Sequence, residues 1–331
     1  MDDTHAVGGT NAPEGLRRAV VLGGTGFVGR YLVRELSNWG WEVVVPSRHA
    51  DRHRDMALWP SVLLVDMNRP ARSDFATHRE TPELTELLDG TDLLVNLVGI
   101  LNERRHDGKG FERVHIQLTK TVLRAAAEAG VPRYLHMSAL GADEESGASY
   151  YQRTKGKAEN WVQRFGRKHE IAVTSFRPSV IFGAGDSFLN RFADLARRMP
   201  GVFPLACAGA RFSPVYVGDV VRRFVEAIDD PATFGQSYDL CGPHDYSLGE
   251  LVSYAAATSG HRRWVIGLPG WLSRLQARVM EWLPGKPFSR DNLASLQRPN
   301  TCSPESRRES TRLEDIAPSY LAGQEHRSAK S

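Results

Sequence analysis

The most informative stretch of the chain is RAVVLGGTGFVG, residues 18–29. Its first five residues favour a short buried strand, and glycines follow at positions 23, 26 and 29. In such a turn the first glycine permits a tight bend, the second lets a pyrophosphate approach the backbone, and the third lets a helix pack on the sheet. Apolar residues from Phe27 to Leu36 then recur at helical spacing, so a helix N-terminus is expected to face the phosphates. The predicted dinucleotide-binding residues of this turn are Gly23, Thr25, Gly26, Phe27, Val28 and Gly29.

Strand-like and helix-like segments alternate from this turn to about residue 178. Such alternation implies right-handed crossovers and a parallel sheet. We therefore predict a Rossmann-type, doubly wound α/β fold with a smaller mixed α/β C-terminal lobe. The expected organisation is a flexible leader over 1–17, a dinucleotide-binding domain over 18–185, a lobe interleaved with it over 186–296, and a largely irregular, solvated tail over 297–331.

Composition excludes several functional classes. The 42 Lys and Arg residues nearly balance the 39 Asp and Glu residues, which argues against a nucleic-acid binder. Neither a run of ~20 apolar residues nor a secretory signal occurs. Three widely separated cysteines argue against a disulfide framework and for a reducing compartment, and no metal-ligand motif occurs. We expect a metal-free cytoplasmic protein, with peripheral attachment to the inner face of the cytoplasmic membrane left open.

The end of the second predicted strand bears on the choice of dinucleotide. It reads Val45-Pro46-Ser47-Arg48, without the carboxylate that usually binds the ribose hydroxyls of NAD. Arg48, with Arg52 as a second candidate, is suited to pair with a 2′-phosphate, so NADP(H) is favoured over NAD(H). Ser47 is a further predicted cofactor contact. The alternative is that Arg48 is a solvated loop cation. Further predicted contacts are Asp66 and Met67 at the adenine, where a turn cap is the alternative for Asp66, and Val98 and Gly99 after the fourth strand.

Tyr151 and Lys155 lie four residues apart on one face of a predicted helix, and Ser138 ends the preceding strand. Together they suit carbonyl reduction or its reverse. Lys155 is expected to lower the pKa of the Tyr151 phenol and to bind the nicotinamide ribose, so Tyr151 and Lys155 are also predicted cofactor contacts. Tyr151 is expected to exchange a proton with the substrate oxygen, and Ser138 to hold that oxygen by a hydrogen bond. The pattern also occurs by chance on surface helices.

Two groups of apolar residues are candidates for contacts outside the dinucleotide site. The first is aromatic and suits a substrate pocket, although packing within the lobe explains it equally: Phe203, Phe212, Tyr216, Tyr246 and Trp264. The second is the Trp-rich stretch 264–283, flanked by Arg262, Arg263, Arg274 and Arg278. This stretch suits an anionic membrane surface or a membrane-protein partner, and the alternative is a helix buried on its own domain.

Residues 23–29 together with Tyr151 and Lys155 resemble the short-chain dehydrogenase/reductase superfamily in its extended and atypical branches. The string FRPSVIFG, residues 176–183, is similar to the segment that closes the nicotinamide pocket in those proteins, which implies a cofactor contact for Pro178. Three further strings are similar to the atypical group named after the alpha-subcomplex subunit nine of respiratory complex I. They are VNLVGIL at 95–101, HMSALGA at 136–142 and PVYVGDV at 214–220.

The resemblance implies three alternative functions. The first is an NADP(H)-dependent oxidoreductase acting on a quinone- or isoprenoid-type substrate, as expected from fungal relatives tied to ubiquinone biosynthesis and from plant isoprenoid dehydrogenases. The second is a non-catalytic, NADPH-carrying accessory or assembly factor of complex I. The third is a sugar-nucleotide epimerase or dehydratase. Extended relatives often have Asn at the helix position that His115 occupies here.

Overall fold

The computed structural model describes residues 17–67, 82–103, 105–282 and 288–322. Its centre is a sheet of seven strands, each parallel to its neighbours. In spatial order these are β11 (Gln236–Leu240), β6 (Ala172–Pro178), β5 (Arg133–Met137), β4 (Leu93–Asn96), β1 (Arg18–Leu22), β2 (Glu42–Ser47) and β3 (Val62–Asp66). The predicted parallel α/β sheet is therefore confirmed.

Helices cover both faces of this sheet. Consecutive strand residues such as Val20 and Val21 are both fully buried, because they point into two different helix-covered cores. Described in chain order, the helices are α1 (Phe27–Asn38), α2 (Pro82–Leu88), α3 (Lys109–Phe111), α4 (Leu118–Glu128), α5 (Tyr150–Lys168), α6 (Leu189–Arg198), α7 (Val217–Glu226), α8 (Leu248–Thr258), α9 (Gly270–Met280), α10 (Arg290–Ser295), α11 (Leu313–Ile316) and α12 (Pro318–Leu321). A π-helical turn, Glu112–Gln117, joins α3 to α4.

The seventh strand comes from the segment that the sequence assigns to the lobe. β11 pairs with β6 from Gln236 opposite Thr174 to Leu240 opposite Pro178. It lies at the edge of the sheet, and its residues QSYDL lack the continuous apolar run of the inner strands. The chain thus returns to the main sheet after entering the lobe.

The lobe has its own core, built by α6, α8, α11 and α12 together with short strand pairs. These strands are β7 (Ile181–Phe182) with β10 (Val215–Tyr216), β9 (Arg211–Phe212) with β12 (Tyr246–Ser247), and β8 (Val202–Leu205) with β13 (Trp264–Gly267). Among the helices that the structure describes, none has both the length and the apolar character needed to span a bilayer.

The prediction of a solvated tail is wrong for the described part, residues 297–322. Leu313, Ala317 and Leu321 are buried in the lobe core. Charged residues of the tail also pair with the body of the protein, as in Arg308–Asp245 at 2.7 Å and Glu309–Arg223 at 2.5 Å. The rest of the predicted tail, and the leader except Arg17, lie outside the described residues.

The expectation that the cysteines form no disulfide is also wrong. Cys241, directly after β11, is joined to Cys302 of the tail, and both are buried beside Leu140. Their separation of 61 residues gives no sequence signal of proximity. Cys207 is the free cysteine.

Candidate active site

The glycine turn leads directly from β1 into α1. Gly23 has a φ of +78°, and the Gly26 amide donates to the Gly23 carbonyl at 2.9 Å. A Cβ at Gly29 would lie 2.2 Å from the Gly23 carbonyl oxygen, so only glycine lets α1 start this close to the turn. Within the described residues no side chain caps α1. Its first amides are therefore available to a pyrophosphate, and the turn fits a dinucleotide.

The predicted adenosine contacts lie at the carboxyl ends of β2 and β3. Ser47 is in register with Asp66, and the Met67 amide donates to the Ser47 carbonyl at 2.8 Å. Arg48 follows Ser47 and is exposed. This corner offers the Arg48 cation and the Ser47 hydroxyl next to the Asp66 carboxylate. The combination does not by itself select one dinucleotide.

One large cavity, of about 640 Å³, opens from the glycine turn toward the C-terminal lobe. It brings together these sequence-predicted residues: Gly23, Gly26, Phe27, Val28, Gly29, Gly99, Ser138, Tyr151, Lys155 and Pro178. The remaining predicted residues lie outside its lining: Thr25, Ser47, Arg48, Asp66, Met67 and Val98.

The first turn of α5 is held by the C-terminal lobe. Ser149 caps it by accepting from the Gln152 amide at 3.0 Å. Asp291 of α10 accepts from the amides of Tyr150 and Tyr151 at 2.7 and 3.2 Å. A carboxylate at a helix N-terminus is favourable, and here it also fixes the lobe against the helix that carries Tyr151. Sequence reasoning missed Asp291 because it lies 140 residues from its partner.

Lys155 is buried, with its ammonium next to Gly99. Its Nζ donates to the Met137 carbonyl at 2.9 Å. A Cβ at Gly99 would lie 3.2 Å from that Nζ, so a glycine keeps space open beside the ammonium. Burial lowers the pKa of Lys155 to about 8, against the opposing effect of the Glu159 carboxylate. At neutral pH the Lys155 side chain is therefore protonated in most molecules.

Tyr151 is surrounded by rings, with Phe111 and His115 at centroid distances of 6.1 and 5.5 Å. The Tyr-x-x-x-Lys spacing predicts that Lys155 lowers the pKa of the phenol. The structure shows the opposite direction, since burial raises the pKa of Tyr151 to about 12. The phenol therefore keeps its proton at neutral pH and is suited to donating it.

Ser138 is held by a carboxylate that sequence reasoning missed. Its Oγ donates to Glu159 Oε2 at 2.6 Å, and Arg177 pairs with the same carboxylate at 2.7 Å. Burial alone would raise the pKa of Glu159, but the hydrogen bonds from Arg177 and Ser138 bring it below its ordinary value. In this arrangement the Ser138 hydroxyl can accept a further hydrogen bond but has no second proton to donate. The available signal was the spacing of Tyr151, Lys155 and Glu159, which places all three on one helix face.

His115 lies in the π-helical turn and packs against the ring of Tyr151. Its Nε2 accepts from the Ile100 amide at 3.2 Å, which leaves the proton on Nδ1, 2.9 Å from Thr154 Oγ1. Burial and the Lys155 charge lower the pKa of His115 well below its ordinary value, so the ring is neutral. Within the described residues no cluster of ligands suits a metal ion.

The fold and the cavity define a class of protein: dinucleotide-binding α/β proteins that carry a Tyr-x-x-x-Lys pair in the cavity next to the glycine turn. The model of the NAD dependent epimerase/dehydratase family matches residues 19–249, and the chain belongs to that family.

Individual relatives differ in what their names describe. The chain is 33% identical over 252 residues to the mitochondrial NADH dehydrogenase [ubiquinone] 1 alpha subcomplex subunit 9 of Mus musculus, covering 76% of this chain and 63% of the mouse protein. It is 28% identical to the ceramide reductase of Caulobacter vibrioides, covering 75% and 73% of the two chains. A solved structure of MoeE5 with UDP-glucose and NAD superposes with a TM-score of 0.67 at 19% identity, covering 95% of this chain and all of that one. The last likeness shows the fold alone.

Proposed function

We propose that this protein is an NAD(P)(H)-dependent oxidoreductase acting on a carbonyl or alcohol of a hydrophobic substrate of the quinone, isoprenoid or related lipid type. The observation that carries the proposal is the cavity itself. The Tyr151, Lys155 and Ser138 side chains line the same space as an extended apolar wall contributed by the lobe.

This apolar wall comes mainly from α6, β8 and the segments near α9 and α10. Its members are Phe188, Phe192, Leu195, Met199, Phe203, Leu205, Phe212, Leu248, Met280, Phe288 and Leu296. Of the aromatic residues nominated from sequence, Phe203 and Phe212 therefore line the cavity, whereas Tyr216, Tyr246 and Trp264 are not part of its lining. Such a wall suits a lipid chain. Sugar hydroxyls that lie against this wall would lack hydrogen-bond partners, so an epimerase substrate would have to bind through the polar lining residues, among them Asn292, Arg298 and Asn300.

The residues of this site suit the reduction direction. A bound nicotinamide dinucleotide in its reduced form supplies the hydride for the substrate carbon. Tyr151, protonated at neutral pH, gives its proton to the substrate oxygen as charge develops there. The Lys155 ammonium, oriented by the Met137 carbonyl, stabilises that developing charge and the phenolate that remains. Ser138 accepts a hydrogen bond from the new hydroxyl.

The dinucleotide we propose is NADP(H). The support is the end of β2, where Ser47 and the exposed Arg48 stand in place of a carboxylate. The family description names NAD, so the choice between the two dinucleotides is part of the proposal and needs a direct binding test.

A second candidate is a nucleotide-carrying accessory subunit or assembly factor of respiratory complex I, peripheral to the membrane. It is supported by the identity to the mouse subunit, of which the chain spans less than two thirds. In this case the dinucleotide stabilises the fold and no substrate is turned over.

One experiment separates the two candidates. The purified chain is assayed for bound nucleotide and then for NADPH oxidation with short-chain quinones, comparing Tyr151→Phe with Tyr150→Phe. Tyr150 is adjacent but is not part of the cavity lining, so it is the matched control. We expect Tyr151→Phe to lose turnover while keeping NADPH, and Tyr150→Phe to retain both. Bound NADPH without turnover in the wild type would favour the accessory function.

A further inference from the structure

The lobe exposes a set of large apolar side chains on the paired strands β8 and β13, on α9 and just after α9. This tryptophan patch consists of Val202, Trp264, Ile266, Trp271, Leu275, Val279 and Trp282. Trp264 and Trp282 are 80% and 87% exposed. Single exposed apolar residues are ordinary on protein surfaces, but a group of this size, including three tryptophans, indicates an interaction surface.

α9 has an exposed apolar side and, opposite to it, a buried side of small residues. With roughly 100° of rotation per residue, Trp271, Leu275 and Val279 form one stripe along the helix, and this stripe is exposed. Ser273 and Ala277 point the opposite way and are buried. The alternative of a helix buried on its own domain therefore holds for this second side only.

The same helix forms part of the cavity wall. Gln276 and Met280, which lie between the exposed and the buried sides, both line the cavity. Gln276 also donates to the Pro204 carbonyl at 3.2 Å, which holds α9 against β8. α9 therefore carries the exposed stripe on one side and part of the cavity lining on another.

The charges around the patch are basic. Arg274 and Arg278 border the stripe, and neither has a carboxylate partner among the residues that the structure describes. Residues 261–282 contain four arginines and one acidic residue, Glu281, which is paired with Arg290. Exposed tryptophans next to unneutralised arginines match the interface of a bilayer that carries negative headgroups.

We propose that the tryptophan patch docks on an anionic lipid surface and that lipid-borne substrate enters the cavity past α9. The docking stands by itself, whereas the delivery of substrate rests on the proposed function. The patch commits to lipid rather than to protein because the only acidic residue of 261–282, Glu281, is already paired with Arg290, and the remaining charges are basic and border a continuous apolar stripe along one helix.

The docking is tested by flotation of the full chain with protein-free vesicles of phosphatidylcholine, alone or mixed with phosphatidylglycerol. We expect binding to the anionic vesicles, weakened by salt. Removing two interfacial arginines in Arg274→Gln/Arg278→Gln is expected to reduce partitioning roughly 30-fold. Removing apolar area in Trp271→Ser/Leu275→Ser is expected to reduce it at least about tenfold.

The controls match the variants in exposure and charge. Trp39 is as exposed as Trp271, at 63%, and lies at the end of α1, so Trp39→Ser is expected to float like the wild type. Arg164→Gln/Arg167→Gln removes two exposed arginines from α5 and is also expected to float. Equal flotation of the patch variants and the controls would overturn the proposal. So would binding confined to membranes that contain protein.

Turnover of a soluble and of a vesicle-borne quinone shows whether the docking or the proposed reaction is wrong. With an intact reaction, Arg274→Gln/Arg278→Gln keeps activity on a water-soluble short-chain quinone and loses it on a long-chain quinone held in anionic vesicles. Vesicle binding without any turnover would overturn the reaction and support docking alone. Turnover of both quinones without vesicle binding would overturn the docking and support the reaction.

Discussion

Ser138 Oγ lies 2.6 Å from Glu159 Oε2, so the hydroxyl nearest the proposed chemistry donates to a buried carboxylate. Glu159 also accepts from Arg177 and Ser237, at 2.7 Å in each case. It is one turn of α5 beyond Lys155, and its charge opposes the loss of the lysine proton. Glu159 is thus a positioning residue, which fixes the direction of the Ser138 hydroxyl and favours the charged form of Lys155.

Replacing Glu159 by Gln is expected to move the pH dependence of turnover. Without the carboxylate the pKa of Lys155 falls below its value of about 8. Activity is therefore expected to be lost about one pH unit lower than in the wild type, equivalent to about 1.4 kcal/mol. The measurement is the pH profile of kcat with a short-chain quinone. Glu145→Gln removes an exposed carboxylate and is expected to leave the profile unchanged. A lower rate with an unshifted profile would reduce Glu159 to a structural role.

The wild-type profile is itself a prediction. Because Lys155 is protonated below its pKa of about 8, turnover is expected to be full near neutral pH and to fall as the pH rises through 8. Lys155→Met is expected to lower kcat roughly a hundredfold at pH 7, since it removes a buried cation from the developing charge. Lys157→Met, on the exposed side of the same helix, is the matched control. If kcat of Lys155→Met still fell as the pH rises through 8, the titration that causes this fall would belong to another group.

Most of the fold could be predicted from local patterns. The parallel strands bury both faces, so runs such as Ala19–Leu22 are continuously apolar and easy to place. β11 was placed in the lobe because an edge strand is half exposed and carries polar residues. The packed tail and the Cys241–Cys302 bridge depend on contacts between distant segments, which no local pattern encodes.

The residues of the candidate site also divide into those that local patterns predict and those that depend on contacts between elements. Tyr151, Lys155 and the glycine turn are predictable because the chemistry requires them at fixed spacing. Asp291 and Glu159 were missed because their roles come from burial against a second element, Asp291 against the first turn of α5 and Glu159 against Ser138 and Arg177. The pKa of Tyr151 is raised rather than lowered for the same reason, since burial of the phenol depends on the elements packed around it and not on the spacing along α5.

Arg48→Glu is expected to reverse the dinucleotide preference. The exposed Arg48 follows the end of β2, and replacing it by a carboxylate would repel a 2′-phosphate. We expect NADPH binding to weaken at least about tenfold, or about 1.4 kcal/mol, with NADH binding unchanged or tighter. The measurement is Kd by quenching of intrinsic fluorescence. Arg54→Glu is the control, because Arg54 is also exposed and lies on the 3₁₀ segment Ala50–Leu58 that follows β2. Equal loss of both dinucleotides would show that Arg48 does not contact the 2′ position.

His136 is expected to make the fold sensitive to acid. It is buried in β5, and neither ring nitrogen has a hydrogen-bond partner among the described residues. Burial, reinforced by Lys155, lowers its pKa to about 3, whereas an unfolded histidine titrates near 6.5. Between these values the unfolded chain binds a proton that the folded chain does not. This contribution to stability is therefore complete above pH 6.5 and is lost as the pH falls, by about 2 kcal/mol at pH 5.

Urea unfolding at several pH values measures this loss of stability. His136→Gln is expected to flatten the dependence and His169→Gln, which is exposed, to leave it unchanged. Parallel slopes for the wild type and His136→Gln would mean that His136 is protonated in the folded protein or that its charge is compensated there.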